Sequence, residues 1–451
     1  MKVSMGGQMG NARTTRIGLM VALGIILVPL LSRSVSATDG TADMINTGDT
    51  AWLLISTALV FVMTPAVAFF YGGMLRKESF LSMLGQSVII IGMVTLIWVL
   101  FGYSLAFGGY HSDLIGNFNF VLLDKVGGLP DVDYAKTVPS ILFAMYQLMF
   151  AIITVALIIG GVAERMKLKA VVIFLGVWTC VVYLPVAHWI WGGGWLAKLG
   201  VLDFAGGAVV HITAGVSVLA ASIVLGKRLS VINGNGDHPH NIPMVVLGGA
   251  LLWMGWFGFN GGSALGSGAL ASQAFANTQI AGALAAITWG LVSWLHLGRP
   301  SVLGLISGGI AGLAAVTPAA GYIDTRGAII IGLAAGILCY CGILVRKRYK
   351  FDDALDVWGV HGIAGTMGMI AVGLFATKTI NTAVVNNGLF YGGGFTLLTA
   401  QLIAVVVVWM FAFSITYVIL KLLSRFMPIR MTKEEERVGA DIIQHGETAY
   451  S

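Results

Sequence analysis

Charge is scarce in this sequence. Only 10% of its 451 residues are Asp, Glu, Lys or Arg, where a soluble globular domain carries about a quarter. That shortfall excludes a soluble domain, and the 57% hydrophobic content points to an integral membrane protein. Cysteine is also scarce. Cys180, Cys339 and Cys341 all fall in apolar stretches, show no metal-ligand spacing and read as packing residues. No basic region with interleaved aromatics is present, which excludes a nucleic-acid surface. The alternating ten-residue pattern of a membrane barrel is missing as well, leaving long helices.

What is present is a series of apolar stretches of about 20 residues, each long enough to cross a bilayer as a helix. Eleven are expected, near 49–72, 83–107, 138–162, 168–190, 205–226, 243–262, 276–297, 301–319, 326–345, 356–376 and 396–424. Before them, Arg13 and Arg16 precede IGLMVALGIILVPLL, and small residues follow at 35–37. This layout is that of a cleaved signal peptide over 1–37, with an uncleaved extra helix as the alternative. Basic residues favour one side. Arg76, Lys77, Arg165, Lys167, Lys169, Lys227, Arg228, Arg299 and the 346–350 cluster lie in loops that are internal if the mature N-terminus is outside. The positive-inside rule therefore predicts an N-out, C-in protein, and the net charge of +6 reflects topology and anionic lipid. Residues 38–424 form the membrane domain and 425–451 a cytoplasmic tail. The 61 glycines, many in pairs or small-xxx-small spacing, suit close helix packing in lipid.

Two internal echoes organise the membrane domain. VVHITAGV around His211 and GVHGIAGT around His361 both read His-x-x-Ala-Gly, in the fifth and tenth spans. FYGG at 70–73 and FNGG at 259–262 fall in the first and sixth. Each pair is five spans apart. Five is odd, so the second half runs in the opposite direction: a five-plus-five inverted repeat, with the substrate path at the interface between halves.

Ionisable residues inside a membrane are functional candidates, because each is costly unless it faces a polar path or a partner. Four stand out: Asp203, His211, Asp356 and His361. His211 lies about 12 Å beyond Asp203 along a helix. With the spans antiparallel, the two imidazoles can meet near the bilayer centre and share a proton. The plainer alternative for each histidine is a buried ring bonded to a carbonyl. For Asp203 and Asp356 it is a favourable place at a helix start. Trp189 reads as part of an interfacial belt. Trp191, before three glycines and near Asp203, can face a vestibule and attract a cation. By composition alone, Phe150 and Phe259 are lipid-facing or packing residues.

FYGGMLR, AHWIWGGG, LDFAGGAVVHITAG, HNIPM, GWFGFNGGSA, DVWGVHG and HGETAY together resemble the ammonium transporters of the Amt/Mep/Rh superfamily, the bacterial Amt branch above all. The resemblance runs from about residue 50 to the C-terminus. It implies a homotrimer of eleven-helix subunits in the inner membrane, each with a narrow pore and needing no metal or cofactor. It implies an ammonium site of Phe150, Trp191 and Ser263 near Asp203, a pore gate of Phe150 and Phe259, and twin pore histidines His211 and His361. Ammonium would be recruited by cation–π attraction and deprotonated, and ammonia would be conducted, with the proton transferred electrogenically. A PII-type (GlnK-like) regulatory protein is the implied partner, with Glu434 to Tyr450 as the regulatory tail. Packing of the tail on its own loops is the alternative. One position departs from the branch: Tyr146-Gln147 stands where Phe-Gln is usual, and a hydroxyl there can hydrogen-bond in the vestibule and slightly alter affinity without changing the substrate class. An ammonium sensor signalling through its cytoplasmic face is the alternative function. The expected appended signalling domain finds no room in the tail, and no serine or metal set supports an enzyme.

Overall fold

The structure, a computed structural model, describes residues 44–109, 112–234 and 239–450. The signal-peptide expectation at 1–37 lies outside them. Among the described residues, ten helices are long and apolar enough to cross a membrane.

Continuous α-helices are α1 (Thr47–Met74), α3 (Ser140–Val162), α6 (Ile242–Gly262), α7 (Ala269–Leu297), α8 (Val302–Val316), α9 (Thr325–Tyr349) and α11 (Thr396–Phe426). Four helices carry a π turn. In α2 it is Trp98–Gly102, between Phe80–Ile97 and Tyr103–Phe107; in α4 it is Thr179–Tyr183, between Leu168–Trp178 and Leu184–Ile190. α5 opens on the π turn Gly207–Ile212 before Thr213–Leu225, and α10 opens on Trp358–Gly362 before Ile363–Phe375. Side chains placed by the sequence begin several of these helices. Asn46, Asn241, Ser301 and Asp324 each accept a backbone N–H three residues on, satisfying amide groups that the first helical turn leaves open.

Two elements differ from expectation. α8 is helical for only 15 residues, about 22 Å, because the chain turns out of the helix ahead of Pro318, which cannot continue it. It falls short of a full bilayer core, although its apolar stretch was read as 301–319. A small antiparallel hairpin, β1 (Pro130–Asp131) with β2 (Ala135–Pro139), also interrupts the otherwise helical chain between α2 and α3.

The chain has two distinct ends. At one, the last residues of α4, the start of α5 and the end of α6 surround a vestibule. At the other lies a buried ionic network. Arg228 bonds both Asp352 and Glu164, and Arg165 pairs with Asp352 at 2.9 Å. Arg228 follows α5 and Asp352 precedes α10, so these two helices run in opposite directions. Both are interior: Val209, Val210, Ile212 and Ala364 are fully buried.

The tail folds back on this second end. Its helices, α12 (Lys433–Val438) and α13 (Ala440–His445), are short, and α12 starts with a capping box formed by Thr432 and Glu435. Glu436 accepts from Leu229 N and from Arg430, and Arg76 donates to its carbonyl. The carboxylate of Asp441 takes the amides of Leu81 and Ser82 at the start of α2. Gln444 accepts from Leu168 N at the start of α4. The tail thus caps two helices that would otherwise end in open amides.

Candidate functional site

A cavity of about 400 Å³ opens at the vestibule end, walled by Phe107, Tyr134, Gln147, Phe150, Trp191 and Ser263, with Asp203 also lining it. Trp191 meets the edge of Phe150 at 5.7 Å and 88°. Beneath it, Phe150 lies against Phe259 at 4.3 Å, then Phe259 against His211 at 6.0 Å and 24°. His211 lies over His361 at 5.2 Å and 25°. Five rings from α3, α4, α5, α6 and α10 thus form one ladder leading from the cavity into the interior. Phe150, Phe259, His211 and His361 are all buried, between 0% and 4% exposed.

The two imidazoles meet through Nδ1 and Nδ1, 3.3 Å apart. One proton serves such a contact, so one ring is protonated at Nδ1 and its partner at Nε2. His211 Nε2 has no hydrogen-bond partner among the described residues. The plainer alternative, a buried histidine held by a backbone carbonyl, does not describe His211: its hydrogen bond goes to another imidazole.

The shared His-x-x-Ala-Gly motif has a steric reason. A Cβ on Gly215, four residues after His211, would come within 2.4 Å of the Gly362 amide beside His361. A Cβ on Gly365, four residues after His361, would sit 2.6 Å from the Gly207 carbonyl and 2.9 Å from His211 Cβ. Each glycine therefore makes room for the histidine region of the opposite helix, and only backbones without Cβ approach that closely. The sequence displayed both glycines inside the repeated motif, yet their reciprocal contact appears only once the helices are antiparallel.

Asp203 caps α5. Its Oδ1 accepts from Gly206 and Gly207, and its Oδ2 from Ala208 and Val209, at 2.6 to 3.2 Å. Its backbone carbonyl takes the Trp191 indole N–H at 2.8 Å, fixing that ring over the cavity. Burial pushes the Asp203 carboxyl above its ordinary value, with the four amide donors opposing that rise. Gly206 supplies the turn at φ +118, a backbone conformation that favours glycine. Asp356 sits apart from the ladder, paired with Arg346 at 2.5 Å. The residue that caps α10 is Asp353, through Trp358 N. Trp189 is buried rather than interfacial, donating to Leu114 O and packed on Phe411.

In the sequence Gln147 stands out only as the neighbour of Tyr146. It lines the cavity, and its Oε1 has no partner among the described residues. Its spacing was the available signal: three residues before Phe150, it shares that ring's helix face. No group of three or more His, Cys, Asp or Glu suited to a metal occurs among the described residues.

The chain matches the sequence profile of the Ammonium Transporter Family over residues 51–450. It is 48% identical over 404 residues to an ammonium transporter of Bacillus subtilis, covering 89% of this chain and 98% of that one. It is 45% identical to ammonium transporter Amt1 of Archaeoglobus fulgidus, over 90% and 99%. The crystal structure of Candida albicans Mep2 superposes with a TM-score of 0.82 at 37% identity, covering 90% of this chain and 91% of that one. A structure titled Sensor Amt Protein superposes with a TM-score of 0.81 at 27% identity, over 88% and 98%.

Proposed function

This chain belongs to the ammonium transporter family, and we propose the route by which it moves ammonium across the membrane. The cavity is the external recruitment site. Phe150 and Trp191 offer ring faces and edges to a cation, and Ser263 Oγ and Gln147 Oε1 offer acceptors to its N–H groups. Asp203 holds the site in shape and adds negative potential to it. Beyond the Phe150–Phe259 gate the path is apolar, so a desolvated cation crossing it bears the full cost of losing its water. Potassium has no way to avoid that cost. Ammonium does: it gives up its proton and proceeds as ammonia, hydrogen-bonding to His211 and His361, which also offer a proton route.

The observation that carries this reading is the buried imidazole pair, 3.3 Å apart, directly beneath the Phe150–Phe259 pair. The antiparallel course of α5 and α10 supports a five-plus-five inverted repeat, and the proposed topology is eleven spans, N-out and C-in, after a cleaved signal peptide. The basic loops at the tail end support the inner membrane's cytoplasmic face as the side of the tail. A homotrimer with a PII-type partner at that face completes the reading.

The test is electrical. Full-length protein in liposomes should give a current on an ammonium jump and none on an equal potassium jump. Replacing His211 or His361 with Ala should abolish the selective, proton-coupled current while the protein still inserts. Equal potassium currents in the unmodified protein would sink the desolvation argument. Unaltered currents in both single variants would return the histidines to packing. The sensor reading rests on the likeness to the structure titled Sensor Amt Protein, and transport is the reading that the relatives' names favour.

A further inference from the structure

Tyr146 stands one helical turn before Phe150 on α3 and is fully buried, with its ring edge-on to Phe150 at 5.0 Å. Its hydroxyl crosses to the end of α6. It lies 2.9 Å from the carbonyl oxygens of Gly258 and Phe259 and 3.2 Å from Ser263 Oγ. Ser263 Oγ itself lies 2.8 Å from the same Phe259 carbonyl. Four contacts are thus served by two hydroxyl protons.

Their allocation follows from which atoms can donate. The two carbonyls only accept, and they are closer to the tyrosine oxygen than Ser263 is, so the Tyr146 proton goes to the backbone. The lone pairs of that oxygen then face Ser263. The serine proton has two acceptors within the protein, Phe259 O and Tyr146 Oη. With its proton taken by either, Ser263 Oγ keeps both lone pairs. Ammonium carries four N–H donors and no lone pair, so this is the only form of the serine it can use. The space for the hydroxyl comes from Gly262, where a Cβ would lie 2.7 Å from Tyr146 Oη and 2.6 Å from Ser56 Cβ.

We propose that Tyr146 is a positioning residue of the vestibule cation site: its hydroxyl ties α3 to the end of α6 and holds Ser263 as a hydrogen-bond acceptor for ammonium. The assignment rests on the recruitment site proposed above. Tyr146 touches no substrate in this scheme; it acts through Ser263.

The variant Tyr146→Phe keeps the ring and removes only the hydroxyl. Ammonium currents of the full-length protein in liposomes, taken over a concentration series, separate affinity from capacity. One lost hydrogen bond at the site raises the half-saturating ammonium concentration about three- to tenfold. The maximal current stays within about twofold and potassium remains excluded, since neither the gate nor the histidines change. In a Ser263→Ala background, adding Tyr146→Phe produces no further rise, because the group it acts through is gone. An unchanged half-saturation in Tyr146→Phe overturns the proposal. So does an equal rise with and without Ser263, or a loss confined to the maximal current. A wild-type half-saturation in Ser263→Ala alone would instead overturn the recruitment site itself, so the two failures read differently.

Discussion

At the scale of single residues, the site depends on what is missing between α5 and α10 as much as on the two rings. Gly215 and Gly365 are placed so that each helix reaches the backbone beside the other's histidine. Replacing Gly365 with Ala puts a methyl group 2.6 Å from the Gly207 carbonyl, a distance at which backbone must move. The expected result is separation of the 3.3 Å Nδ1 contact and a fall in ammonium current of more than about tenfold. Ala at Gly92, where a Cβ would meet nothing within 4 Å, serves as the control and should transport at the wild-type rate. A Gly365→Ala protein with wild-type current would show that the close approach is dispensable. The histidines were legible in the sequence because an imidazole in an apolar run is costly and conspicuous. A vestibule hydroxyl at Tyr146 was legible too, but its partners at the end of α6 and the acceptor role of Gln147 were not, since both depend on distances across helices that sequence spacing does not supply.

At the scale of elements, apolar run lengths located the helices well, because a bilayer requires every backbone group to be satisfied within its own helix. They failed where the backbone departs from a regular helix. α8 stops short ahead of Pro318, and the π turns opening α5 and α10 change which way His211 and His361 face without leaving any mark in hydropathy. The buried ions were also hidden: Arg165 and Arg228 read in sequence only as loop charges, and nothing there marks Glu164 and Asp352 as their partners. In the structure Asp352 binds the guanidinium of Arg228 at 2.9 to 3.1 Å and Arg165 at 2.9 Å, tying together the connections after α3, α5 and α9. Burial raises the Asp352 carboxyl, but the hydrogen bonds and charge of Arg228, with the charge of Arg165, hold it below its ordinary value. A depressed folded-state pKa means that the stabilisation is fully present above the unfolded value, near 4. It is lost as pH falls through the folded one. Melting in detergent should therefore fall on acidification below about pH 4. Asp352→Asn, which removes the carboxylate that the two buried guanidinium groups share, should cost about 3–5 kcal/mol at neutral pH and flatten that acid limb. A variant with wild-type melting at neutral pH would remove the network from the list of what holds the helices together.

At the scale of the whole molecule, the tail is bound to its own body and still presents surface. Glu436, Asp441 and Gln444 are engaged inward, while Val438, Ile442, Ile443 and Tyr450 remain 41–48% exposed. Packing on its own loops and docking a partner are therefore not exclusive roles: the inward contacts fix the outward surface in place. Lys347, Arg348 and Lys350 at the end of α9 are exposed on the same side as the tail. The family expectation of a trimer would present three such surfaces about one axis, and a three-fold partner engages all three at once. Mass determination in mild detergent should give a trimer, and only monomer under those conditions would refute it. A PII-type protein from the same cell should co-purify with the transporter under nitrogen-replete conditions. Removing residues 434–451 should abolish that association, and it should also lower the melting temperature because α2 and α4 lose their caps. Replacing Lys347, Arg348 and Lys350 with Ser separates the two effects: these side chains are exposed, so melting should stay within about a degree while retention of the partner weakens. If the partner binds the truncated protein as well as the full chain, the tail is a cap alone and the dock lies elsewhere.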